Sequence, residues 1–425
     1  MRLRIKDYTT KVGSGVTPRG GAETYLNEGI PLFRSQNVTN DGFLMDDIAY
    51  ISEEVDEMMK GTRVKPGDVL LNITGASIGR CFFTSNDFGR GNVNQHVCII
   101  RPKKNVTLPA YLHYCIVSDK GQEQINLTQT GANREGLSIE DIKGFSFDIP
   151  PLSKQQRIVD YLDEKLGNID ARIAVLEKQQ DAYARLKKSI IYHTVTRGLN
   201  SNVSLKDSGV DWIGMIPEHW ERFRLKDLGY MYSGLTGKSG DDFRCDDETR
   251  TKPYVPFTNV LNNTVVDNDN FHYVVMEDNE QQNQVKANDL LFLMSSEDYE
   301  SIAKSAVVLG NPGETYLNSF CRGLRITDNN CYAPFLNYQL NSAKYRDALR
   351  FEARGFTRIN IKIDRVASHF VSLPPFWEQQ AITDYLDEKC SKIDAAIENI
   401  GKQIDALKRL KRALINEVVT GQRAV

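Results

Sequence analysis

Leu162, Leu166, Ile169, Ile173 and Leu176 step along the chain by four and three residues. Leu386, Cys390, Ile393, Ile397, Ile400, Ile404 and Leu407 step the same way. A mean spacing of about 3.5 residues is that of a coiled-coil seam, not the 3.6 of a solitary surface helix. The two seams lie in one stretch written twice. Pro150–Thr196 aligns without a gap on Pro374–Thr420, at a constant shift of 224 positions, with roughly half of the residues identical. Pro-Pro opens each copy and presets a helix start, and no proline follows inside either. Two long helices are therefore predicted, each on the order of 60 Å at about 1.5 Å per residue. Beyond Tyr183 and Leu407 the apolar pattern is expected to slip to Leu186–Ile190 and Leu410–Leu414. Compact domains keep their chain ends close together, so the segment between the helices requires them to run antiparallel.

Outside the helices the apolar runs are short and bounded by turn formers. Asp68–Ile73, Val97–Ile100 and Leu290–Leu293 read as strands, while 109–123 and 334–351 carry helical spacing after a proline. These segments repeat as well. Ser14-Gly15-Val16-Thr17 returns as Ser233-Gly234-Leu235-Thr236, and Val64-Lys65-Pro66-Gly67-Asp68 as Val285-Lys286-Ala287-Asn288-Asp289. The predicted fold class is α+β. Two similar mixed α/β domains (1–149 and 221–373) would be joined by two spacer helices (150–197 and 374–425) in an antiparallel coiled coil. That arrangement is a pseudo-two-fold dumbbell. Residues 198–220 form a polar linker that ends in an aromatic plug at Trp220.

Charge changes the picture. Lys plus Arg number 53 against 56 Asp plus Glu, a formal charge of −3, so nucleic-acid binding must rest on local patches or a basic partner. No apolar run approaches the ~20 residues of a membrane span. Met1-Arg2-Leu3-Arg4 has no apolar core behind it, so no signal segment is expected. The seven cysteines share no spacing with histidines and form no Cys-x-x-Cys. Neither a metal site nor a disulfide framework is indicated, and a reducing cytoplasm is the expectation.

Enzyme chemistry is thin. Ser233–Ser239 ends in Gly-Lys-Ser, but a phosphate-cradling loop needs glycine where Tyr232 stands, so a polar surface loop is the simpler reading of Lys238. What remains is side chains that read base edges and clamp phosphates. In the first domain these are Thr17, Arg19, Arg34, Ser35, Gln36, Asn37, Thr74, Ser77, Arg80, Arg90, Asn92, Asn94, Gln95 and Arg134. In the second they are Thr236, Lys238, Arg244, Thr258, Asn259, Ser295, Ser296, Arg322, Arg354 and Arg358. His96 suits structure or a DNA contact better than catalysis. The helix copies also repeat residues that a seam does not need: Gln155, Gln156, Tyr161 and Glu164 match Gln379, Gln380, Tyr385 and Glu388. They are candidate partner surfaces, weighed against helix capping and solvation. Basic runs at Arg185–Lys188 and Lys408–Arg412 suit the helix macrodipole, and a phosphate contact is the alternative.

The duplicated Pro-Pro-x-x-x-Gln-Gln run leading to Ile169-Asp170 and Ile393-Asp394 resembles the specificity subunits of Type I restriction–modification systems. Trp212-Ile213-Gly214 through Trp220, and Thr130-Gly131 with Arg134 and Leu137, look like that family's domain-entry and domain-exit motifs. The entry segment precedes only the second domain. The resemblance implies a non-catalytic chain that binds double-stranded DNA at a split, asymmetric target. It implies two modification (methyltransferase) subunits that hold S-adenosylmethionine, and restriction subunits that use ATP and Mg. No cofactor in this chain is implied. The competing readings are a coiled-coil scaffold without DNA contact and a nucleotide-dependent enzyme around Lys238.

Overall fold

The computed structural model describes residues 1–129, 136–244, 250–277 and 279–425. The fold is α+β. Two helices exceed all others in length, Leu152–Arg197 with 46 residues and Phe376–Val419 with 44. The chain divides into two compact units, one formed by residues 1–177 with 401–425 and the other by residues 178–400. Each unit thus holds one globular part and a stretch of both long helices. Among the described residues, no helix is long and apolar enough to cross a membrane.

Within residues 178–400 the helices run antiparallel. Gln180 Nε2 donates to Ile397 O at 3.4 Å, and one turn pair further on Lys187 Nζ reaches Asp394 at 2.6 Å, so one helix rises as the other descends. In the other unit Lys411 Nζ meets Asp170 at 2.9 Å, while Leu162 and Leu166 share a core with Leu414, Ile415 and Val418. The seam residues Leu162, Leu166, Ile173 and Leu176 are buried, as are Leu386, Cys390, Ile393, Ile400 and Ile404. The expected slip does not occur. Leu186 is 47% exposed and Leu410 50% exposed. Lys187 and Lys411 take the next seam positions and lay their stems along it, with ammonium groups on Asp394 and Asp170. The heptad register persists through an ion pair, which apolar patterning alone does not reveal. The basic runs therefore lose these two lysines as phosphate contacts.

Both globular parts repeat one topology. In the first, strands Thr9–Ser14, Val97–Pro102, Val69–Asn72 and Cys81–Phe83 lie side by side in that order, all antiparallel. In the second, Gly229–Ser233, Cys321–Ile326, Leu290–Leu293 and Ser305–Val307 do the same. A three-stranded sheet accompanies each, with Ile30–Phe33 parallel to Asn92–Val93 and Thr251–Val255 parallel to Tyr316–Leu317. The continuous apolar runs are explained by two cores per domain, because successive side chains of a strand point to opposite faces. Leu290 and Phe292 join the core on the helix side, while Leu291 and Leu293 join a second one. Val69 and Leu71 against Leu70 divide in the same way. The turns into these strands need a left-handed residue, Gly67 at φ +86° and Asn288 at φ +67°. Each is followed by a buried carboxylate gripped by arginine, Asp68 by Arg101 at 2.6 Å and Asp289 by Arg325 at 2.7 Å.

Polar clasps fasten each globular part to its helix. Gln155 is fully buried; its amide donates to Val106 O and Pro150 O and accepts from Leu108 N at 2.9 Å. Gln379, also fully buried, donates to Asn330 O and Pro374 O and accepts from Tyr332 N at 2.8 Å. Tyr114 and Tyr338 donate to Asp163 at 2.5 Å and Asp387 at 2.6 Å. Trp220 closes the second unit's core with no exposed surface, and its edge meets Phe335 at 6.0 Å. His219 and Trp220 Nε1 both reach the Glu378 carboxylate, at 2.7 and 3.4 Å.

In the first domain, Asp56 organises the smaller sheet. Its buried carboxylate accepts from Arg63 Nε at 2.7 Å, Arg90 Nη2 at 2.6 Å and Asn92 Nδ2 at 3.1 Å. Burial alone would raise its pKa, but these donors outweigh burial and hold it below the ordinary aspartate value. A carboxylate depressed in the folded state stabilises above the unfolded pKa and loses that contribution as pH falls through the folded value. Urea titrations of the wild type should therefore show stability declining as pH drops below about 4. Asp56→Asn should cost about 2 kcal/mol at neutral pH and flatten that acid limb; an unchanged limb would remove Asp56 as its source. Gln379→Ala strands the buried Pro374 carbonyl and removes the partners of Asn330 O and Tyr332 N, so a loss of about 2 kcal/mol is expected in the same titration at pH 7.

Candidate nucleic-acid interface

Strand Cys321–Ile326 lies between Gly229–Ser233 and Leu290–Leu293, with Arg322 opposite Ser233 on one side and Phe292 on the other. At its start the chain turns through Ser319 and Phe320. Ser295–Ser296, just past the neighbouring strand, pairs with Ile359–Asn360. These three segments enclose a cleft of about 390 Å³ bordered by Ser295, Ser319, Phe320, Arg322, Arg358 and Asn360. The Arg322 guanidinium spends Nη1 on the carbonyls of Ser319 and Cys321 at 2.9 and 2.8 Å, and its Nε is buried without a partner. Arg358 lies 4.3 Å above the Phe320 ring, whose edge contacts Phe257 at 6.3 Å. An aromatic platform beside arginine donors suits stacking on a base and donation to its edge.

The first domain uses the same place differently. At the shift of 224, His96 stands where Phe320 does and Cys98 where Arg322 does; Thr74 matches Ser295 in the strand alignment. Here a polar chain replaces the aromatic platform. Thr17 donates its hydroxyl to Gln95 Oε1, Gln95 Nε2 donates to His96 Nε2 at 2.8 Å, and His96 Nδ1 meets Thr74 Oγ1 at 2.6 Å. Because Gln95 donates to Nε2, the neutral ring carries its proton on Nδ1 and donates to Thr74. Thr74 also bridges Gly136, as Ser295 pairs with Asn360.

The structure thus gathers Thr17, Thr74 and Gln95 in one domain and Ser295, Arg322 and Arg358 in the other. Other predicted contacts serve the fold. Asn37 is buried with its amide on Leu44 O and Asp47 O at 3.0 and 3.1 Å, and Asn259 holds Asp267 O and Asn270 O in the same manner. Asn92 is committed to Asp56, and buried Asn94 accepts from His96 N at 3.1 Å. Arg90 pairs with Asp56 and Glu53. Arg34 and Gln36 both turn onto Asp47, and Ser35 gives its carbonyl to Asn72. Lys238 is largely buried in an ion pair with Glu280, so no phosphate cradle forms there, and Thr236 bonds Gln282. Arg19, Arg80, Arg244 and Arg354 are exposed, while Ser77, Thr258 and Ser296 are half-buried outside the cleft. Arg134 lies outside the described residues. Phe320 and Asn360 were missed by the sequence reading; the match of Phe320 to His96 at constant shift was the signal that could have found it.

Of the repeated helix residues, Gln155 and Gln379 are interior clasps with no surface left for a partner. Gln156, Glu164, Gln380 and Glu388 are exposed. Tyr161 and Tyr385 are half-buried, each with a lysine ammonium over its ring, Lys165 at 5.7 Å and Lys389 at 5.5 Å.

Comparison with known proteins bears on the chain as a whole. The family model for the Type I restriction modification DNA specificity domain matches twice, over residues 3–181 and 217–409. The Type I restriction enzyme StySPI specificity subunit of Salmonella potsdam is 20% identical over 98% of this chain and 88% of its own length. The EcoBI specificity subunit of Escherichia coli is 26% identical over a shorter alignment, 38% of this chain and 33% of that protein. A chain solved in work on complex assembly and conformational transition of the type I R-M system superposes with a TM-score of 0.74 at 15% identity. That superposition covers 99% of this chain and 97% of the other and shows a shared fold. With both of its globular parts and most of both helices matched, this chain belongs to the family of the Type I restriction modification DNA specificity domain.

Proposed function

We propose that this chain selects the DNA sequence on which a Type I restriction–modification assembly acts, each globular domain reading one part of a split target. One observation carries the reading. The same topological position in both domains holds side chains suited to reading bases, yet their chemistry differs: Thr17, Thr74, Gln95 and His96 in one, Ser295, Phe320, Arg322 and Arg358 in the other. Equal frames with unequal contents call for two parts of unequal sequence. Arginine paired with an aromatic platform favours a guanine edge in the part read by the second domain.

The chain supplies recognition, and the chemistry comes from partners. Two modification subunits holding S-adenosylmethionine would methylate adenines in the two parts, and restriction subunits would supply the ATP- and Mg-dependent work. A formal charge of −3 leaves little phosphate attraction in this chain itself, so tight binding at physiological salt calls for basic partners. Tyr161 with Gln156 and Glu164, and Tyr385 with Gln380 and Glu388, are the equivalent docking surfaces. Tyr161→Ala and Tyr385→Ala should each remove one modification subunit from the co-expressed complex, read by native mass spectrometry. A double variant that still carries two at undiminished affinity would move the docking surface elsewhere.

The direct test is the methylome of cells expressing the chain with its modification subunit. A split motif with two different parts is expected; a continuous or symmetric motif would overturn the reading. Arg322→Ala should relax one base position in a single part, at a cost of about 1–3 kcal/mol in discrimination, and leave the other part untouched.

A further inference from the structure

Phe356 has a relative exposure of 104%, more than any other large apolar side chain among the described residues. It stands at the tip of a hairpin whose base is firmly held. Arg354 and Asn360 exchange both backbone hydrogen bonds at 2.9 Å, Ile359 is buried, and Ile361 N donates to Met294 O at 3.1 Å. Tyr299 braces the tip from the side by donating its hydroxyl to Gly355 O at 3.2 Å. Gly355 allows the bend: its φ is +145°, and a Cβ there would lie 2.0 Å from Arg358 O. The hairpin is thus paired at its base and braced at its side, and what its tip presents to water is a phenyl ring.

The neighbours of that ring bear on what it meets. Arg354 precedes it by two residues and Arg358 follows by two, the latter seated on Phe320 at the border of the cleft. An apolar wedge between cations, next to a platform that stacks on bases, fits a nucleic-acid duplex better than an apolar protein surface. We propose that Phe356 enters the base stack of the part read by the second domain and unstacks one step there. This deepens the recognition reading above and rests on it. Apolar wedges of this kind open pyrimidine–purine steps at least cost, so Phe356 would favour TA or CA at its position without a hydrogen bond to either base. At the shift of 224 the first domain has Ala132, so only one part of the target would be distorted.

The test uses the full chain assembled with its modification subunit on a duplex bearing the mapped target, and reads permanganate reactivity of thymines together with affinity. Beyond the thymines opposite flipped target adenines, which occur in both parts, the wild type should show one further hyperreactive step confined to the second domain's part. Phe356→Ala should abolish it and weaken binding about tenfold, while Phe356→Trp retains both. A duplex carrying a mismatch at that step is already unstacked, so wild type and Phe356→Ala should bind it alike. Unchanged permanganate reactivity and affinity in Phe356→Ala would overturn the wedge. Loss of modification subunits from Phe356→Ala with undiminished DNA binding would also overturn it, and would make the ring a protein contact. If Arg322→Ala alters the methylated motif but Phe356→Ala leaves the step as reactive as in the wild type, recognition stands and only the wedge falls. If neither variant alters DNA selection, the recognition reading falls as well.

Discussion

A helix of 46 residues with charged side chains along most of its surface draws little stability from its own backbone, because helix nucleation is costly and propagation only modestly favourable. It is held by what it packs against. In each unit the helix stretches contribute directly to the main globular core: Ile158, Leu162, Leu414 and Val418 in one, Val195, Ile382 and Leu386 in the other. Folding the domain and folding the helix are one event. The clasps at Gln155 and Gln379 and the tyrosine bonds to Asp163 and Asp387 fix the angle at which each helix leaves its domain. Lys187 and Lys411 carry the seam onward by pairing with exposed aspartates, so their charges stay partly hydrated and the cost of burying them stays low.

Duplication divides the labour between residues that match and residues that differ. Asn37 and Asn259 staple equivalent loops, Asp68 and Asp289 anchor equivalent strands, and Gln155 and Gln379 occupy equivalent interiors. Polar identity between the copies marks what the frame requires where the residue is buried. The pairs His96 and Phe320, and Cys98 and Arg322, share places but not chemistry. Such places can vary because the strands beneath them are already secured by their own buried arginine–carboxylate pairs.

The two helices, their orientation and the repeated mixed domains were legible because heptad spacing and long-range duplication survive in the one-dimensional pattern. Side-chain roles were less so. Repetition of Asn259 or Gln379 looks the same in sequence whether a residue faces a ligand or an interior carbonyl; only burial separates the two. Lys187 and Lys411 misled for a related reason, since apolar patterning prefers Leu186 and Leu410 and has no term for a lysine whose stem packs while its tip pairs. Lys238 could be excluded from nucleotide chemistry in advance through Tyr232, yet its actual partner, Glu280, lies 42 residues away and left no local sign. Phe320 escaped because a lone aromatic in an apolar-rich stretch reads as core.

The unit formed by residues 1–177 with 401–425 is interrupted by the whole of the other. During synthesis its first portion leaves the ribosome with Ile158, Leu162 and Leu166 lacking Leu414, Ile415 and Val418, while residues 178–400 can complete themselves without delay. At elongation rates of roughly 5–20 residues per second, the early portion waits on the order of ten seconds or more for its closing segment. Nascent chains of this kind carry an unfinished apolar face for most of their birth. Order of completion is then opposite to order of emergence, and the earliest-made domain is the last to mature.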